Sequence, residues 1–303
     1  MENINQKIGI LLKKVRINEN KSQNSFINND LSRSKLSRIE SGKTNLSVSE
    51  LVTFLDKLTI TEEEFFQMLL PEDSEKNHIK EKSIRLGMDR ELLRDEILSF
   101  IIELEKKFSD TGDLYYFYHL FYNKNLLGLV KSNDLQFVIN YLTSKKMYTY
   151  FDYALLSNSI MYLNHFEVKK IVDLMLPQLP NLPETNKLQG KINLMFINLL
   201  NRGIMAFHEN ESYEYLKHAL KHNEQFPDYF TKVQLLYLSN LADFRFKKDT
   251  ECLEKCFDYI DIMEKTGLHE LAKESRSEIQ LYIKYPHSLI PQHECKMVHS
   301  FYN

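Results

Sequence analysis

Apolar residues recur through most of the chain at intervals of three and four residues, the spacing that places them on one face of an α-helix. The first such stripe runs from Ile4 to Val15, and a longer one runs from Leu93 to Phe108. Only 8 glycines and 7 prolines occur among the 303 residues, which disfavours a turn-rich β architecture. The pattern therefore predicts an all-α fold.

Residues 1–70 are predicted to form five short helices, several of which begin at a hydroxyl-bearing N-cap. Ser22, Ser32, Ser47 and Thr61 each precede a helical stretch, where the side-chain oxygen can accept a hydrogen bond from a free amide of the first turn. Glu50 stands three residues after Ser47, which completes the sequence pattern of a capping box.

The third of these helices has two chemically different faces. Leu36 and Ile39 form a narrow apolar stripe, and Gly42 follows where the helix is expected to end. The opposite face carries hydrogen-bond donors of the kind that pair with guanine edges and phosphates: Arg33, Ser34, Lys35, Ser37 and Arg38. A short capped helix of this kind, held between two neighbours, is typical of a recognition helix that enters the major groove of DNA.

The charge of the chain is unevenly distributed. Residues 1–46 contain nine basic and four acidic residues, a net charge of +5, so the remainder must carry −8 to give the formal total of −3. A basic head on an acidic body suits a head that meets phosphate and a body that does not.

A polar stretch at 71–83 predicts a linker, and residues 84–303 predict a second, helical domain. Three similar segments, 163–176, 207–220 and 246–260, each follow a longer helix, and their starts lie 44 and 39 residues apart. Helix pairs at that period indicate an α-solenoid of the tetratricopeptide type. Stacks of this kind offer an extended binding surface that suits a peptide.

The N-terminal block closely resembles the helix-turn-helix of the Rgg/MutR family of bacterial transcription regulators, within the wider Cro/C1-type class. The residues that carry the resemblance are Ser22-Gln23, Leu31-Ser32-x-Ser34-x-Leu36-Ser37-Arg38-Ile39-Glu40-x-Gly42, Leu46-Ser47 and Leu51. It implies base-facing roles for Arg33, Ser34 and Arg38, phosphate roles for Gln23 and Lys43, and an internal Arg16–Glu40 ion pair. The full set predicted to contact DNA is Gln23, Ser32, Arg33, Ser34, Lys35, Ser37, Arg38 and Lys43.

One departure from the Cro/C1 pattern concerns the turn before the recognition helix. Many such domains have a small residue and a glycine there, whereas this chain has Ile27 followed by Asn28, Asn29 and Asp30. Asn29 is predicted to supply the left-handed residue.

The same resemblance implies that the second domain is a helical-repeat unit that dimerises and binds a short imported peptide pheromone. An extended ligand needs its backbone amides satisfied, which asparagine can do with one donor and one acceptor group, and arginine can take a terminal carboxylate. The residues predicted to bind peptide are Asn158, Tyr162, Asn198, Asn201, Arg202, Tyr237, Asn240 and Arg245. The alternative, that these side chains are solvated or link helices, stays open for each.

No catalytic residue, cofactor or metal site is predicted, because the common nucleotide-binding, zinc-protease and hydrolase motifs are absent. Cys252 and Cys256 are interpreted as buried thiols and His218 and His222 as a surface pair. Close together in the tail, but without the further ligands of a zinc site, are His293, Cys295 and His299. The roles of all three cysteines stay open.

The sequence as a whole predicts a cytoplasmic, dimeric regulator of transcription. The 3 cysteines suit a reducing compartment, and neither a signal-peptide pattern nor a membrane-spanning run is present. The predicted partners are double-stranded DNA, a short hydrophobic peptide and a second copy of the chain, with RNA polymerase as a further candidate. Two alternatives stay open: a regulator of the same fold that senses a non-peptide signal or partner, and a helical-repeat adaptor that binds protein.

Overall fold

The computed structural model describes residues 4–27, 31–69, 74–90, 92–183 and 185–286. Within these ranges all regular secondary structure is helical and no strand occurs, which confirms the predicted fold class. The chain divides into two compact units, 1–81 and 82–303. No helix in the described ranges combines the length and apolar character needed to cross a lipid bilayer.

The first unit surrounds a small apolar core with contributions from every helix. Phe26 stacks on Phe54, with ring centroids 4.9 Å apart, and Leu12, Leu36 and Phe65 are fully buried around them. The elements of this unit are α1 (Ile4–Asn18), a 3₁₀ turn (Gln23–Phe26), α2 (Arg33–Glu40), α3 (Val48–Leu58) and α4 (Glu62–Leu69).

Three of the four predicted caps are present in this unit. The Ser32 hydroxyl accepts a hydrogen bond from the Lys35 amide, and Ser47 and Glu50 form the predicted capping box at the start of α3. Thr61 caps α4, since its hydroxyl accepts from the Glu64 amide. Ser22 makes no side-chain cap bond, and the helix predicted after it is the 3₁₀ turn. The turn residue Asn29 lies outside the described residues.

The segment predicted as a linker, 71–83, is helical from Glu75 onward, because α5 spans Glu75–Met88. The boundary between the two units falls at residues 81–82, within this helix. Ile79, Ser83 and Leu86 are buried at helical spacing, so one narrow face of this helix is packed inside the protein. Its many lysines and glutamates made the stretch look like a linker, yet both are good helix formers.

The second unit continues with ten helices to the end of the described chain. Its order begins with α6 (Arg94–Thr111), α7 (Leu114–Leu126), α8 (Ser132–Ser144), α9 (Tyr150–Ser159) and α10 (His165–Met175). It continues with α11 (Asn186–Met205), α12 (Glu209–Gln225), α13 (Tyr229–Ala242), α14 (Thr250–Lys265) and α15 (His269–Lys284). A 3₁₀ segment follows α10 and a π-helical turn, Asp243–Lys247, follows α13.

Equivalent contacts recur along this unit at intervals of about forty residues. The predicted repeat segments correspond to α10, α12 and α14. Asn198 donates to the Ser157 carbonyl across 41 residues, Arg202 to the Ile160 carbonyl across 42, and Arg245 to the Ile204 carbonyl across 41. Stacked helix pairs in which each pair contacts its neighbours produce this recurrence.

Candidate nucleic-acid interface and regulatory-unit residues

Helix α2 presents one apolar and one polar face, as its sequence predicts. Leu36 and Ile39 are buried in the core of the first unit. Four predicted DNA contacts share the opposite, exposed face: Arg33, Ser34, Ser37 and Arg38. Since successive residues of an α-helix are separated by about 100°, positions i, i+1, i+4 and i+5 point in similar directions. We call these four residues the outer face of α2.

A buried ion pair fixes α2 to α1. Arg16 Nε donates to Glu40 Oε1 at 2.5 Å and a terminal nitrogen of Arg16 donates to Glu40 Oε2 at 2.9 Å, with both side chains nearly inaccessible to solvent. The hydrogen bond with Glu40 raises the pKa of Arg16. Such a bidentate pair restrains both distance and angle, so the rotation of α2 about its axis is fixed.

Glycine permits the close approach of the two helices that this ion pair requires. A side-chain carbon at Gly9 would lie 2.0 Å from the Ile39 carbonyl oxygen, well inside van der Waals contact. At the end of α2, Gly42 adopts the left-handed conformation with φ of 70°, and the Lys43 amide then donates to the Arg38 carbonyl at 2.8 Å. This turn leaves the Lys43 side chain exposed at the end of the helix.

Two of the predicted DNA contacts are instead engaged inside the first unit. Gln23 is half-buried, and its Nε2 donates to Glu40 Oε2 at 2.9 Å, which supplies a third donor to the buried carboxylate. Lys35 is half-buried and forms an ion pair with Glu50, whose pKa is lowered chiefly by that hydrogen bond. Gln23 and Lys35 therefore have structural roles in this conformation, and their roles as DNA contacts stay predictions.

The remaining predicted contacts stay exposed. Ser32 is exposed, although its hydroxyl accepts the cap bond. Among the described residues, no hydrogen bond or ion pair engages the side chains of Arg33, Arg38 and Lys43. Three cationic side chains on or next to one short capped helix are thus free to meet an anionic partner.

In the second unit, two of the residues predicted to bind peptide connect consecutive helix pairs. Asn198 Nδ2 donates to the Ser157 carbonyl at 3.0 Å, and Arg202 donates to the Ile160 carbonyl at 2.5 Å. Ser157 lies in the last turn of α9 and Ile160 is the residue directly after it, where a helix leaves carbonyl acceptors unpaired. Asn198 and Arg202 therefore link helices, the alternative that the sequence left open.

Arg245 repeats this arrangement one helix pair further along the chain. Its Nε donates to the Ile204 carbonyl at 2.7 Å and a terminal nitrogen donates to the Tyr285 carbonyl at 2.6 Å. The guanidinium lies 5.3 Å from the Phe207 ring and 4.8 Å from the Tyr282 ring. Arg245 is 1% exposed and its donors are engaged by backbone carbonyls, so in this conformation it links helices. Its role as a ligand of a peptide carboxylate stays a prediction.

Tyr237 was predicted to flank the side chains of a peptide, but it is buried. Its hydroxyl donates to Glu278 Oε2 at 3.1 Å, and the Tyr282 hydroxyl donates to Glu278 Oε1 at 3.3 Å. Burial raises the pKa of Glu278 to about 7, against the smaller effect of the two hydroxyl donors. Tyr237 therefore belongs to an internal polar cluster.

The remaining predicted peptide residues differ in what their side chains contact. Tyr162 donates to Asn125 Oδ1 at 2.5 Å, and Asn240 Nδ2 donates to the Leu236 carbonyl of its own helix at 2.8 Å. Asn158 is buried and interacts with Tyr118, whose pKa is raised by burial. These contacts do not bring the residues predicted to bind peptide together at a single site.

Asn201 stands apart because its buried amide oxygen has no hydrogen-bond partner among the described residues. The residue is 3% exposed, and a buried acceptor without a donor costs free energy. Gln189, on the same helix, has a buried amide oxygen in the same state. Gln189 and its buried neighbour Asn193 were missed by sequence reasoning, although polar residues inside an otherwise apolar helix such as α11 are the signal.

The structure also shows what surrounds the histidine and cysteine pairs. Cys252 and Cys256 are buried, and burial raises the pKa of Cys256 to about 12, so both behave as buried thiols. His222 is buried near Phe226 and its pKa is lowered to about 4 by burial, which corrects the prediction of a surface pair. The tail residues His293, Cys295 and His299 lie outside the described residues.

Comparison with known proteins identifies the second unit. Residues 128–276 match the family of the C-terminal domain of the HTH-type transcriptional regulator Rgg. No curated protein sequence matches the chain significantly.

Solved structures resemble the chain over nearly its whole length. The SHP pheromone receptor Rgg2 of Streptococcus dysgalactiae has a TM-score of 0.75 at 17% identity, covering 90% of this chain and 98% of that chain. PrgX in complex with cCF10 has a TM-score of 0.74 at 17% identity, covering 93% and 94%. A bacterial peptide pheromone–receptor complex has a TM-score of 0.71 at 17% identity, covering 90% and 97%.

At these identities the structural likeness concerns the fold. The sequence match over residues 128–276 adds the family assignment. Residues 128–276 of this chain therefore belong to the family of the Rgg C-terminal domain.

Proposed function

We propose that this protein is a transcription regulator that binds double-stranded DNA through α2 and responds to a short hydrophobic peptide bound by its second unit. The observation that carries the proposal is the outer face of α2, where Arg33 and Arg38 are exposed and their side chains make no hydrogen bond or ion pair among the described residues. A peptide ligand is supported by the solved relatives, two of which are described as a pheromone receptor and a pheromone–receptor complex.

In this proposal the outer face of α2 reads DNA bases and Lys43 contacts phosphate. A guanidinium that donates two bonds to guanine discriminates against the wrong base by about 1–3 kcal/mol. Two copies of the chain would present two α2 helices to half-sites about one helical turn, roughly 34 Å, apart. The proposal includes no catalytic step.

The test of DNA binding starts with a genome-wide map of bound sites in the native host, which supplies the operator. Fluorescence anisotropy with that duplex is then measured for the wild type, Arg38→Ala and Lys14→Ala. Both variants lose one positive charge, but Lys14 is an exposed residue of α1 outside the outer face of α2.

Arg38→Ala should weaken operator binding by about 1–3 kcal/mol and relax the preference for one base pair, whereas Lys14→Ala should change affinity little. Binding that falls steeply with added salt is expected for phosphate contacts. Equal effects of the two substitutions would contradict base reading by α2. Absence of any operator would favour the adaptor alternative.

Asn201 is the residue that we propose contacts the peptide. Its unpartnered amide oxygen can accept a hydrogen bond from a backbone amide of an extended ligand, which would remove the cost of burying it. Asn240 and Asn158 are weaker candidates, because their side chains already contact Leu236 and Tyr118.

The peptide test uses short hydrophobic peptides encoded beside the mapped sites. Asn201→Ala should weaken peptide binding in calorimetric titration while operator binding is unchanged. Asn133→Ala, at an exposed position of α8, is the matched control. No binding by the wild type would move the assignment to a non-peptide signal, and an unchanged affinity of the Asn201 variant would remove this residue from the site.

Peptide binding can regulate transcription only if it favours one state of the protein over another. We propose that these states differ in the placement of the two DNA-binding units of a dimer, or in contacts with RNA polymerase. Sedimentation of the protein with and without peptide measures the oligomeric state, and a monomer on DNA would contradict the dimer.

A further inference from the structure

Two histidines and one glutamate converge at the start of two consecutive repeat helices. His165 is the first residue of α10, His208 directly precedes α12, and Glu211 lies in the first turn of α12. His165 Nε2 is 3.2 Å from Glu211 Oε1. The His165 and His208 rings are stacked with centroids 4.3 Å apart. One ligand atom from each of the three residues lies within 4.8 Å of the other two.

We propose that His165, His208 and Glu211 form a binding site for a divalent transition-metal ion, with Zn²⁺ as the expected occupant. Two imidazoles and one carboxylate, with a water molecule as the fourth ligand, form a common zinc coordination set. With bond lengths of about 2.0–2.1 Å and tetrahedral angles, neighbouring ligand atoms are roughly 3.3 Å apart. The His165–Glu211 distance already matches this value.

Binding requires only a small rearrangement of side chains. The widest separation in the cluster must close by at most about 1.5 Å to reach the tetrahedral spacing. Because a nitrogen lone pair lies in the plane of its ring, the two stacked imidazoles must also tilt toward each other. All three side chains are partly exposed, so both solvent and a metal ion can reach them.

The local backbone explains why these three side chains are available. At α10 the N-cap is Asn164, and Glu167 is held in a capping box with it. At α12 the N-cap is His208, whose side chain makes no cap bond, so Glu211, at the position equivalent to Glu167, approaches His165 instead. In the third repeat the equivalent start of α14 has Asp249 and Thr250, so the pair of histidines is particular to one repeat interface.

The surrounding charges are compatible with a cation. The charged groups that interact with the cluster, or with Arg202 beside it, are Arg202, Lys169, Glu167 and Glu211. Together they carry no net formal charge, so a metal ion meets no excess of positive charge. Both imidazoles bind the ion in their neutral form. The bound ion would tie the start of α10 to the start of α12.

The test is a calorimetric titration of the full-length protein with ZnCl₂, repeated with CoCl₂, whose visible absorption reports tetrahedral coordination. Both are done in a chain carrying H293A, C295S and H299A, so that the tail cannot contribute ligands. One equivalent of Zn²⁺ per chain is expected, and it should raise the Tm because the ion binds the folded state.

Glu211→Gln and His208→Ala should each weaken Zn²⁺ binding at least about tenfold, since loss of even an outer-shell partner costs 10- to 100-fold. His218→Ala, on the same helix but outside the cluster, should leave affinity within twofold, and circular dichroism checks that each variant is folded. Glu211→Gln is nearly isosteric, so it keeps the test valid if His208→Ala misfolds. Failure of the tail-substituted chain to bind Zn²⁺, or equal affinity in Glu211→Gln, would overturn the proposal.

Discussion

Replacing Arg245 by methionine would test whether this buried arginine stabilises the second unit or binds the proposed peptide. Methionine keeps an unbranched side chain of similar bulk between Phe207 and Tyr282, but it removes the charge and every donor. The Ile204 and Tyr285 carbonyls, which accept at 2.7 and 2.6 Å, would lose a donor near the ends of α11 and α15. The Met205 carbonyl, at 3.5 Å, would lose a weaker contact.

The expected loss of stability follows from the two short bonds. A hydrogen bond to a charged group contributes about 1.5–3 kcal/mol, so two of them represent about 3–6 kcal/mol. Removing the cost of burying a guanidinium offsets part of this, which leaves a net loss of about 2–4 kcal/mol. For a unit of this size, that corresponds to a fall in Tm of roughly 4–16 °C.

The distribution of tyrosines provides a selective assay. All 17 tyrosines occur from Tyr115 onward and the chain has no tryptophan, so tyrosine fluorescence and the tyrosine bands of near-ultraviolet dichroism report on the second unit alone. Urea unfolding followed by either signal gives its free energy of unfolding. Arg202→Met is the matched control, because Arg202 is less buried and donates to one carbonyl in the corresponding position; about half the effect is expected.

An unfolding free energy of Arg245→Met within about 0.5 kcal/mol of the wild type, the range of neutral surface substitutions, would refute this reasoning. A variant of unchanged stability that no longer bound peptide would restore the carboxylate-binding role predicted from the sequence.

Two further predictions concern a helix contact and a buried acid. Gly9→Ala should destabilise the first unit by about 1–3 kcal/mol, because the added carbon would lie 2.0 Å from the Ile39 carbonyl oxygen; far-ultraviolet dichroism should report the loss with the tyrosine signal unchanged. Gly190→Ala, with open space at an exposed helical position, should instead stabilise by about 0.5–1 kcal/mol, and the same sign for both would contradict the close contact. The folded-state pKa of Glu278, raised to about 7, means that the folded state binds its proton more tightly than the unfolded state does. Its contribution to stability is therefore complete below the unfolded pKa of about 4.3 and falls by roughly 2–4 kcal/mol as pH rises through 7. Glu278→Gln should remove this slope from the tyrosine-detected unfolding, whereas Glu254→Gln, at an exposed position, should retain it; a slope that survives in the first variant would assign it to another group.

Helix α2, which we propose binds DNA, shows how much of a helix the local sequence pattern predicts. The apolar pair Leu36 and Ile39, the Ser32 cap and the glycine after the helix were sufficient to predict the ends of α2 and its two faces. These features act within one or two turns of the chain, so their effect can be read without knowing the tertiary fold. The pattern could not place Lys35, because its direction depends on Glu50 of the next helix.

The polar residues of the second unit show the opposite case. From the sequence alone, three residues resemble ligand-binding residues, since each offers hydrogen-bond donors in a largely apolar helical stretch: Asn198, Arg202 and Arg245. Their partners are carbonyls at helix ends about forty residues away, and no local feature reveals such distant acceptors. On the same helix, Asn198 Nδ2 reaches the Ser157 carbonyl, whereas Asn201 Oδ1 has no partner among the described residues.

The sequence by itself determined the helical composition, the caps, the basic first unit and the period of the repeats, because these depend on the spacing and chemistry of neighbouring residues. The tertiary structure alone decided which polar side chains remain free. In the folded chain, Gln23 and Lys35 bond within the first unit, and Arg245 and Tyr237 are buried. Three residues from separate repeats lie close together: His165, His208 and Glu211. The physical reason is that hydrogen bonds and ion pairs in the folded chain join groups far apart in sequence, and only the packing of helices sets those distances.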